Sequence, residues 1–207
     1  MILIIGLGNP GKEYEKTRHN LGFMVLDELL RVLTPAEKTR WKLDNHLISQ
    51  LAIHNLTPAQ SLVLAKPQTS MNASGEAAEK LIGHFGVPPS QIWLVHDDID
   101  LPLGRIKINK CRGSAGHRGV ESIIRHLGTC DFYRFRLGAG QPTRQDKLAN
   151  ERELTGEKTK RDEVVKHVLE NFEGKQAVEA RKMIDKTVKA IIFALEKGIE
   201  EAQSRFY

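Results

Sequence analysis

Apolar and polar positions change rhythm several times along the chain, and each change predicts an element. Residues 1–5 (MILII) are an unbroken apolar run, the pattern of a short buried strand. Over 21–33 (LGFMVLDELLRVL) the spacing turns helical, with Phe23, Leu26, Leu30 and Leu33 near one face. Residues 47–53 and 61–65 predict strands. A helix is predicted over 74–85, with Ser70, Asn72 and Ser74 as cap-type side chains before it and Val87-Pro88-Pro89 stopping it. Residues 91–96 (QIWLVH) predict a buried strand that runs into Asp97-Asp98. RIKIN (105–109) and YRFRLG (133–138) alternate strictly, which predicts two strands with a helix over 117–127 between them.

From 143 to 162 the chain is charged and nearly without apolar residues, so it reads as a loop, or a lid over a cleft. Two amphipathic helices follow within 163–207. The first carries Val164, Val165, Val168 and Phe172. The second carries Ala180, Met183, Ile184, Val188, Ile191, Ile192 and Leu195. Both are expected to pack on the core. Strands and helices alternate irregularly, which predicts one α/β domain over 1–207, a mixed twisted sheet with helices on both faces.

Composition narrows the class. In 207 residues, 40% are hydrophobic and 28% charged, as in a soluble globular domain. No apolar stretch approaches the roughly 20 residues of a membrane span. MILII enters a glycine loop without the basic region and cleavage site of a secretory leader. Cys111 and Cys130 lie far apart in sequence with no partner motif, which argues against a disulfide framework and a Cys-type zinc site, and for a reducing, cytoplasmic setting. The net charge of +5 is uneven: residues 101–150 hold ten Lys/Arg against three acids. A basic excess confined to one segment points to a polyanionic partner.

The glycines of Gly6-Leu7-Gly8-Asn9-Pro10-Gly11 follow the first strand in the spacing of a dinucleotide fingerprint. That site needs a helix directly after the glycines, its N-terminus on the pyrophosphate, and an acid about 20 residues on at a strand end. Here KEYEKTRHN follows, the helix starts only near Leu21, and Asp27 and Glu28 fall inside it. The glycines therefore read as a tight turn with close backbone approach rather than a cofactor cradle. An NAD-linked oxidoreductase rests on this pattern alone, and lack of stabilisation by NAD would dispose of it.

Polar loops carry the remaining chemistry: Asn9, Tyr14, His19 and Asn20 after the first strand; KPQTSMNASGE (66–76); HDDIDLPLG (96–104); and RGSAGHRGVESI (112–123). No serine sits in G-x-S-x-G and neither cysteine has a nucleophile signature. His96, Asp97, Asp98 and Asp100 are dense enough for an ion, but strand alternation divides them between faces. General-base hydrolysis remains. A neutral histidine with an ordinary pKa of about 6.5 takes a proton from water, a carboxylate fixes its tautomer, and amide donors hold the oxyanion. His19, one of Asp97 and Asp98, and Asn9 or Asn72 would supply that set.

Five blocks, GLGNPGKEYEKTRHNLGF, KPQTSMNASGE, HDDIDLPLG with RIKI, GHRGVESIIRHLG and FYRFRLGAGQP, resemble in order and spacing the signatures of bacterial peptidyl-tRNA hydrolases over residues 1–142, with a weaker match at VVKHVLENF. The resemblance implies a metal-free, cofactor-free esterase that splits the ester between a peptide and the 3′-terminal ribose of tRNA. By motif position it makes His19 the general base and Asp97 its orienting partner. Asn9 and Asn72 would hold the substrate and polarise the ester. Tyr14 and Met71 would line the cleft, and His117 would belong to the loop on the peptide side. Lys107, Arg134 and Arg136 would approach tRNA phosphates. A monomer is expected.

Two positions depart from the family pattern. GHRG places Arg118 where GHNG is common, and arginine cannot accept a hydrogen bond, so Arg118 would instead contact the terminal phosphate or the peptide's carbonyls. A family lysine is Asn109 here, with Lys110 beside it as a substitute. A relative that binds RNA without hydrolysing it makes a non-catalytic RNA-binding module the alternative. Arg118 leans that way, and the intact His19, Asp97, Asn9 and Asn72 lean against it.

Overall fold

The computed structural model describes residues 1–34, 40–57, 60–111, 113–142 and 160–206. One mixed sheet of seven strands organises them, in the order β2-β3-β4-β1-β5-β7-β6. The strands are β1 Ile2–Gly6, β2 Lys42–Asp44, β3 Ser49–Thr57, β4 Gln60–Pro67, β5 Ile92–Asp98, β6 Ile106–Lys110 and β7 Tyr133–Gly138. β1 lies parallel to β4 and β5, and β5 parallel to β7; β2–β3, β3–β4 and β6–β7 are antiparallel. The central strands are apolar on both faces because helices cover both.

Alternation sorts the side chains. Ile4, Leu64, Val95 and Phe135 face α1 (Leu21–Leu33) and the C-terminal helices α5 (Gly174–Lys197) and α6 (Ile199–Arg205). Leu3, Ile5, Val63 and Leu94 face α2 (Ser74–Phe85) and α3 (Arg118–Leu127). The mixed sheet with helices on both faces matches the expectation, and α1 and α2 begin and end where the apolar spacing placed them.

Four details differ from the sequence reading. β2 is a three-residue, mostly exposed edge strand with no periodicity to reveal it. The N-terminus of α2 has no side-chain cap: Ala73 holds the cap position, while Ser74 Oγ donates to Met71 O (2.8 Å) and Ser70 Oγ to Asn72 Oδ1 (2.7 Å). The first C-terminal helix, α4 (Lys160–Leu169), takes up the last residues of the charged stretch and ends before Phe172. The remainder of that stretch, 143–159, lies outside the described residues.

Lastly, Cys111 and Cys130 form a disulfide, their Cα atoms 4.7 Å apart. The end of β6 and the approach to β7 are antiparallel neighbours, with Lys110 opposite Tyr133 and an ion pair from Lys110 to Asp131 (2.8 Å). Tertiary pairing thus closes a gap that no local motif announces. With it goes the argument for a reducing setting drawn from unpaired cysteines.

The opening glycines do what their spacing implied. A Cβ on Gly6 would lie 2.6 Å from the Gly22 carbonyl, and one on Gly22 would lie 2.4 Å from both Leu7 N and Val95 O. α1 therefore packs backbone to backbone on the ends of β1 and β5. Gly11, at φ 121°, turns the chain into two one-turn helices, Lys12–Tyr14 and Arg18–Asn20.

Candidate active site

β5 ends in two carboxylates, and its pleat sends them to opposite faces. Asp97 is 1% exposed. It accepts hydrogen bonds from His19 Nδ1 (2.9 Å) and His117 Nε2 (2.8 Å). His19 comes from the 18–20 turn ahead of α1, and His117 caps α3, its Nδ1 accepting the Val120 N–H (3.3 Å). With Nδ1 an acceptor, neutral His117 carries its proton on Nε2, directed at Asp97. His19 donates through Nδ1, which leaves Nε2 with its lone pair, without a partner among the described residues. The two imidazole centres are 4.9 Å apart.

Burial opposes ionisation of Asp97, but the charges and hydrogen bonds of His19 and His117 outweigh it and hold the carboxyl far below the usual carboxylate range. Burial also lowers the His19 pKa; the Asp97 charge and hydrogen bond outweigh it, and Arg118 subtracts a little. The net shift is upward from 6.5. Sequence reasoning left this histidine at its ordinary value because it could not weigh the partner against the burial.

His96 was not singled out as part of the set, yet it supports it. Its Nδ1 donates to the Asp97 carbonyl (2.6 Å) and its ring lies 4.8 Å from that of His117. Burial, then the neighbouring His117, keeps its pKa well below 6.5. A neutral third histidine adds packing and a hydrogen bond without a competing charge. The ligand atoms of His19, Asp97 and His117 lie within 4.8 Å of one another. Both imidazoles spend an N–H on the carboxylate, so a cation there would have to displace two hydrogen bonds and force a tautomer change in each ring.

Asn9 is built in from a second direction. Its main-chain N–H and C=O bond the Asn20 side chain (2.9 Å each). Its Oδ1 accepts the Met71 N–H (2.8 Å). That leaves the Asn9 NH2 as the free donor. The bond from Asn9 to Met71 brings the neighbouring Asn72 to the same place. Asn72 is exposed, its Oδ1 taken by Ser70. The Met71 side chain does not line a cleft: it is 5% exposed and fills the space beside Gly119 and Leu7. Tyr14 is half-buried, and its carbonyl accepts from Thr17 N (3.0 Å) and Oγ1 (2.9 Å).

His19, Asp97 and Asp98 open onto a cavity of about 100 Å³. Its other walls are Ile99, the loop 114–118 including exposed Arg118, and Val164, Val165 and Val168 of α4. Those valines were expected to pack on the core; Val168 is buried, but all three also face this cavity.

The basic candidates divide. Register pairs Lys107 with Arg136 and Asn109 with Arg134, all on one face. Lys107 is half-exposed on the edge strand. The Arg136 guanidinium is bound by Asp98 and by Asn109 Oδ1 (3.1 Å), its side chain 13% exposed. Arg134 is 2% exposed and donates to the Gly113 carbonyl (3.0 Å). Arg134 thus stands corrected as a phosphate contact: its guanidinium is spent inside the protein, bracing the loop that leads to His117. Lys110 cannot stand in for the missing lysine, because one step along β6 puts it on the opposite face, paired with Asp131.

A family model described as peptidyl-tRNA hydrolase matches residues 3–207. A peptidyl-tRNA hydrolase of Aquifex aeolicus is 39% identical over 97% of this chain and 93% of its own. One of Bacillus subtilis is 36% identical over 100% and 98%. The crystal structure of peptidyl-tRNA hydrolase from Acinetobacter baumannii superposes with a TM-score of 0.80 at 26% identity, covering 100% of this chain and 94% of that one. The paired histidines on Asp97, the fixed Asn9 and these full-length matches agree: the chain belongs to the peptidyl-tRNA hydrolase family.

Proposed function

We propose that His19 performs the family reaction, the release of tRNA from peptidyl-tRNA, as a general base. The supporting observation is the His19–Asp97 pair at 2.9 Å with Nε2 unpartnered beside a cavity. Asp97 holds the tautomer in which Nε2 accepts a proton from water. The water oxygen attacks the ester carbonyl, and the carboxylate stabilises the imidazolium that forms. The Asn9 NH2 and the Asn72 side chain donate to the developing oxyanion. As the carbonyl re-forms, the bond to the ribose oxygen breaks and that oxygen takes the proton from imidazolium. The products are a peptide carboxylate and a free tRNA hydroxyl. An ester needs no covalent intermediate, because its alkoxide leaves far more readily than an amine.

Lys107, half-exposed, and Arg136, which would share its guanidinium between Asp98 and a phosphate, are the phosphate candidates, and phosphates are read without regard to base sequence. Arg118, exposed at the cavity mouth, would meet the terminal phosphate or a peptide carbonyl. His117 keeps Asp97 in place from the second side, while Tyr14 and Met71 shape the turns that carry His19 and Asn72. Among the described residues no helix is long and apolar enough to cross a membrane. Large apolar side chains stand exposed at Leu43 of β2, Ile53 of β3 and Val178 of α5. We infer a monomer that acts where peptidyl-tRNA arises.

The test is hydrolysis of an N-acetylaminoacyl-tRNA with and without EDTA, beside His19→Ala. Activity that survives EDTA and vanishes in the variant supports the base. Tight tRNA binding with no turnover in the wild-type protein would move the reading to an RNA-binding module.

A further inference from the structure

Arg18 and His19 share one turn, and their side chains leave it in different directions. His19 reaches Asp97. Arg18, 5% exposed, reaches the junction between α4 and α5. Its Nη1 donates to the carbonyls of Asn171 (3.0 Å) and Glu170 (3.1 Å), with that of His167 at 3.5 Å. Its Nη2 donates to Gln176 Oε1 (2.7 Å), and the guanidinium carbon stands 4.9 Å over the Phe172 ring. The Arg18 main-chain N–H also donates to Glu170 O (3.1 Å), and Thr17 forms an antiparallel bridge with Asn171.

The last carbonyls of a helix lack partners within it and carry the negative end of its dipole. Here the chain has just left α4: the guanidinium takes the carbonyls of Glu170 and Asn171 through Nη1 while Nη2 reaches Gln176, a two-nitrogen span that the single nitrogen of an ammonium cannot cover. The clamp therefore has a definite consequence for α4. Val164, Val165 and Val168 of that helix wall the cavity onto which His19 opens. On the other side of His19, Asn20 is locked to Asn9.

We propose that Arg18 is a positioning residue for the hydrolysis: it holds the α4–α5 junction to the 18–20 turn, so that the α4 wall and the His19 imidazole are set as one unit. The inference rests on His19 being the general base. Arg18→Lys keeps the charge and loses the fork. Its kcat should fall about tenfold or more, in line with the cost of small misplacements of a catalytic group, with KM little changed. The acid limb of its kcat–pH profile should move down, because an imidazole held less firmly by Asp97 loses part of what raises its pKa. The other groups facing that ring are His117 and Arg118 of α3.

Arg181→Ala serves as the stability control. It cuts the ion pair from α5 to Glu28 of α1 (2.8 Å) without touching the junction. It should lower the melting temperature and leave kcat and the limb alone. Wild-type kcat and limb in Arg18→Lys would overturn the proposal, as would loss of activity in both variants in step with melting temperature. If Arg18→Lys does not fold, Gln176→Ala decides. A smaller fall in kcat with the same direction of shift supports the clamp; wild-type behaviour overturns it. Measured in parallel, a fully active His19→Ala would instead refute the general base itself. An inactive His19→Ala with unaltered Arg18→Lys would refute only the positioning role.

Discussion

Asp97 and Asp98 are joined by one peptide bond, are both buried, and border one cavity, yet they bind different partners. Asp97 receives two imidazole N–H groups and sits at the centre of a histidine cluster. Asp98 binds the guanidinium of Arg136, on the face that also carries Lys107. The strand's pleat alone separates them. On the proposed function, Asp97 serves the chemistry of the ester and Asp98 holds a candidate phosphate contact, so a change at one should read out in a different kinetic constant from a change at the other.

The comparison can be tested from its strongest contrast downward. His19→Ala should lower kcat by about 10²–10⁴-fold, the usual contribution of a general base, with the fold intact by circular dichroism. Near-normal turnover would remove Asp97 from the chemistry as well. Asp97→Asn should cost about 10²-fold or more in kcat, since a neutral amide neither enforces the tautomer nor stabilises imidazolium. A change confined to KM would erase the distinction between the two acids.

The third contrast is with pH. His19 is raised above 6.5, so kcat should fall on acidification with an inflection above that value. Steady-state rates from pH 5 to 9 with chemistry limiting would show it, and a flat profile would oppose the assignment. Stability behaves differently. The contribution from raised His19 is full below its unfolded value and is lost as pH rises through the folded one. That from depressed Asp97 is present above the unfolded carboxylate value, near 3.8, and is lost on acidification towards its folded one. The pair therefore helps the fold most in mildly acidic solution, where it catalyses least.

Smallest in kcat, Arg136→Ala should leave turnover near normal, raise KM, and reduce the slope of log(kcat/KM) against log salt by about one. Asp98→Asn should likewise spare kcat. A large fall in its kcat would show that the two carboxylates act together.

Much of this was legible in the sequence, for reasons that can be named. Long apolar spacing and Pro or Gly punctuation gave α1, α2 and the central strands, and strict alternation gave β6 and β7. The five motif blocks brought His19, Asp97, Asn9, Asn72 and His117 to the same end of the sheet. What escaped depends on contacts between distant segments. Arginine reads as a surface residue, yet Arg134 and Arg18 are interior braces; their burial follows from sheet register and from the fold-back of the C-terminal helices. The Cys111–Cys130 pair follows from the β6–β7 pairing. His96 stands among acids that strand alternation divides between faces, which argues against an ion site, and only the direction of its ring shows that it bonds a carbonyl. Phe172 looked like the end of a helix and instead packs under the Arg18 guanidinium.

The close approach of Gly6 to Gly22 carries a practical consequence for inhibitor discovery. Three glycines in dinucleotide spacing would lead a library designer to adenylate and pyrophosphate mimics. In this fold a fourth glycine, outside the pattern, brings α1 into the room such a ligand would need, and the protein's own main chain is the occupant. Compounds chosen for the fingerprint find no room between Gly6 and α1, and a ligand designed for the His19 cavity instead meets none of the three fingerprint glycines.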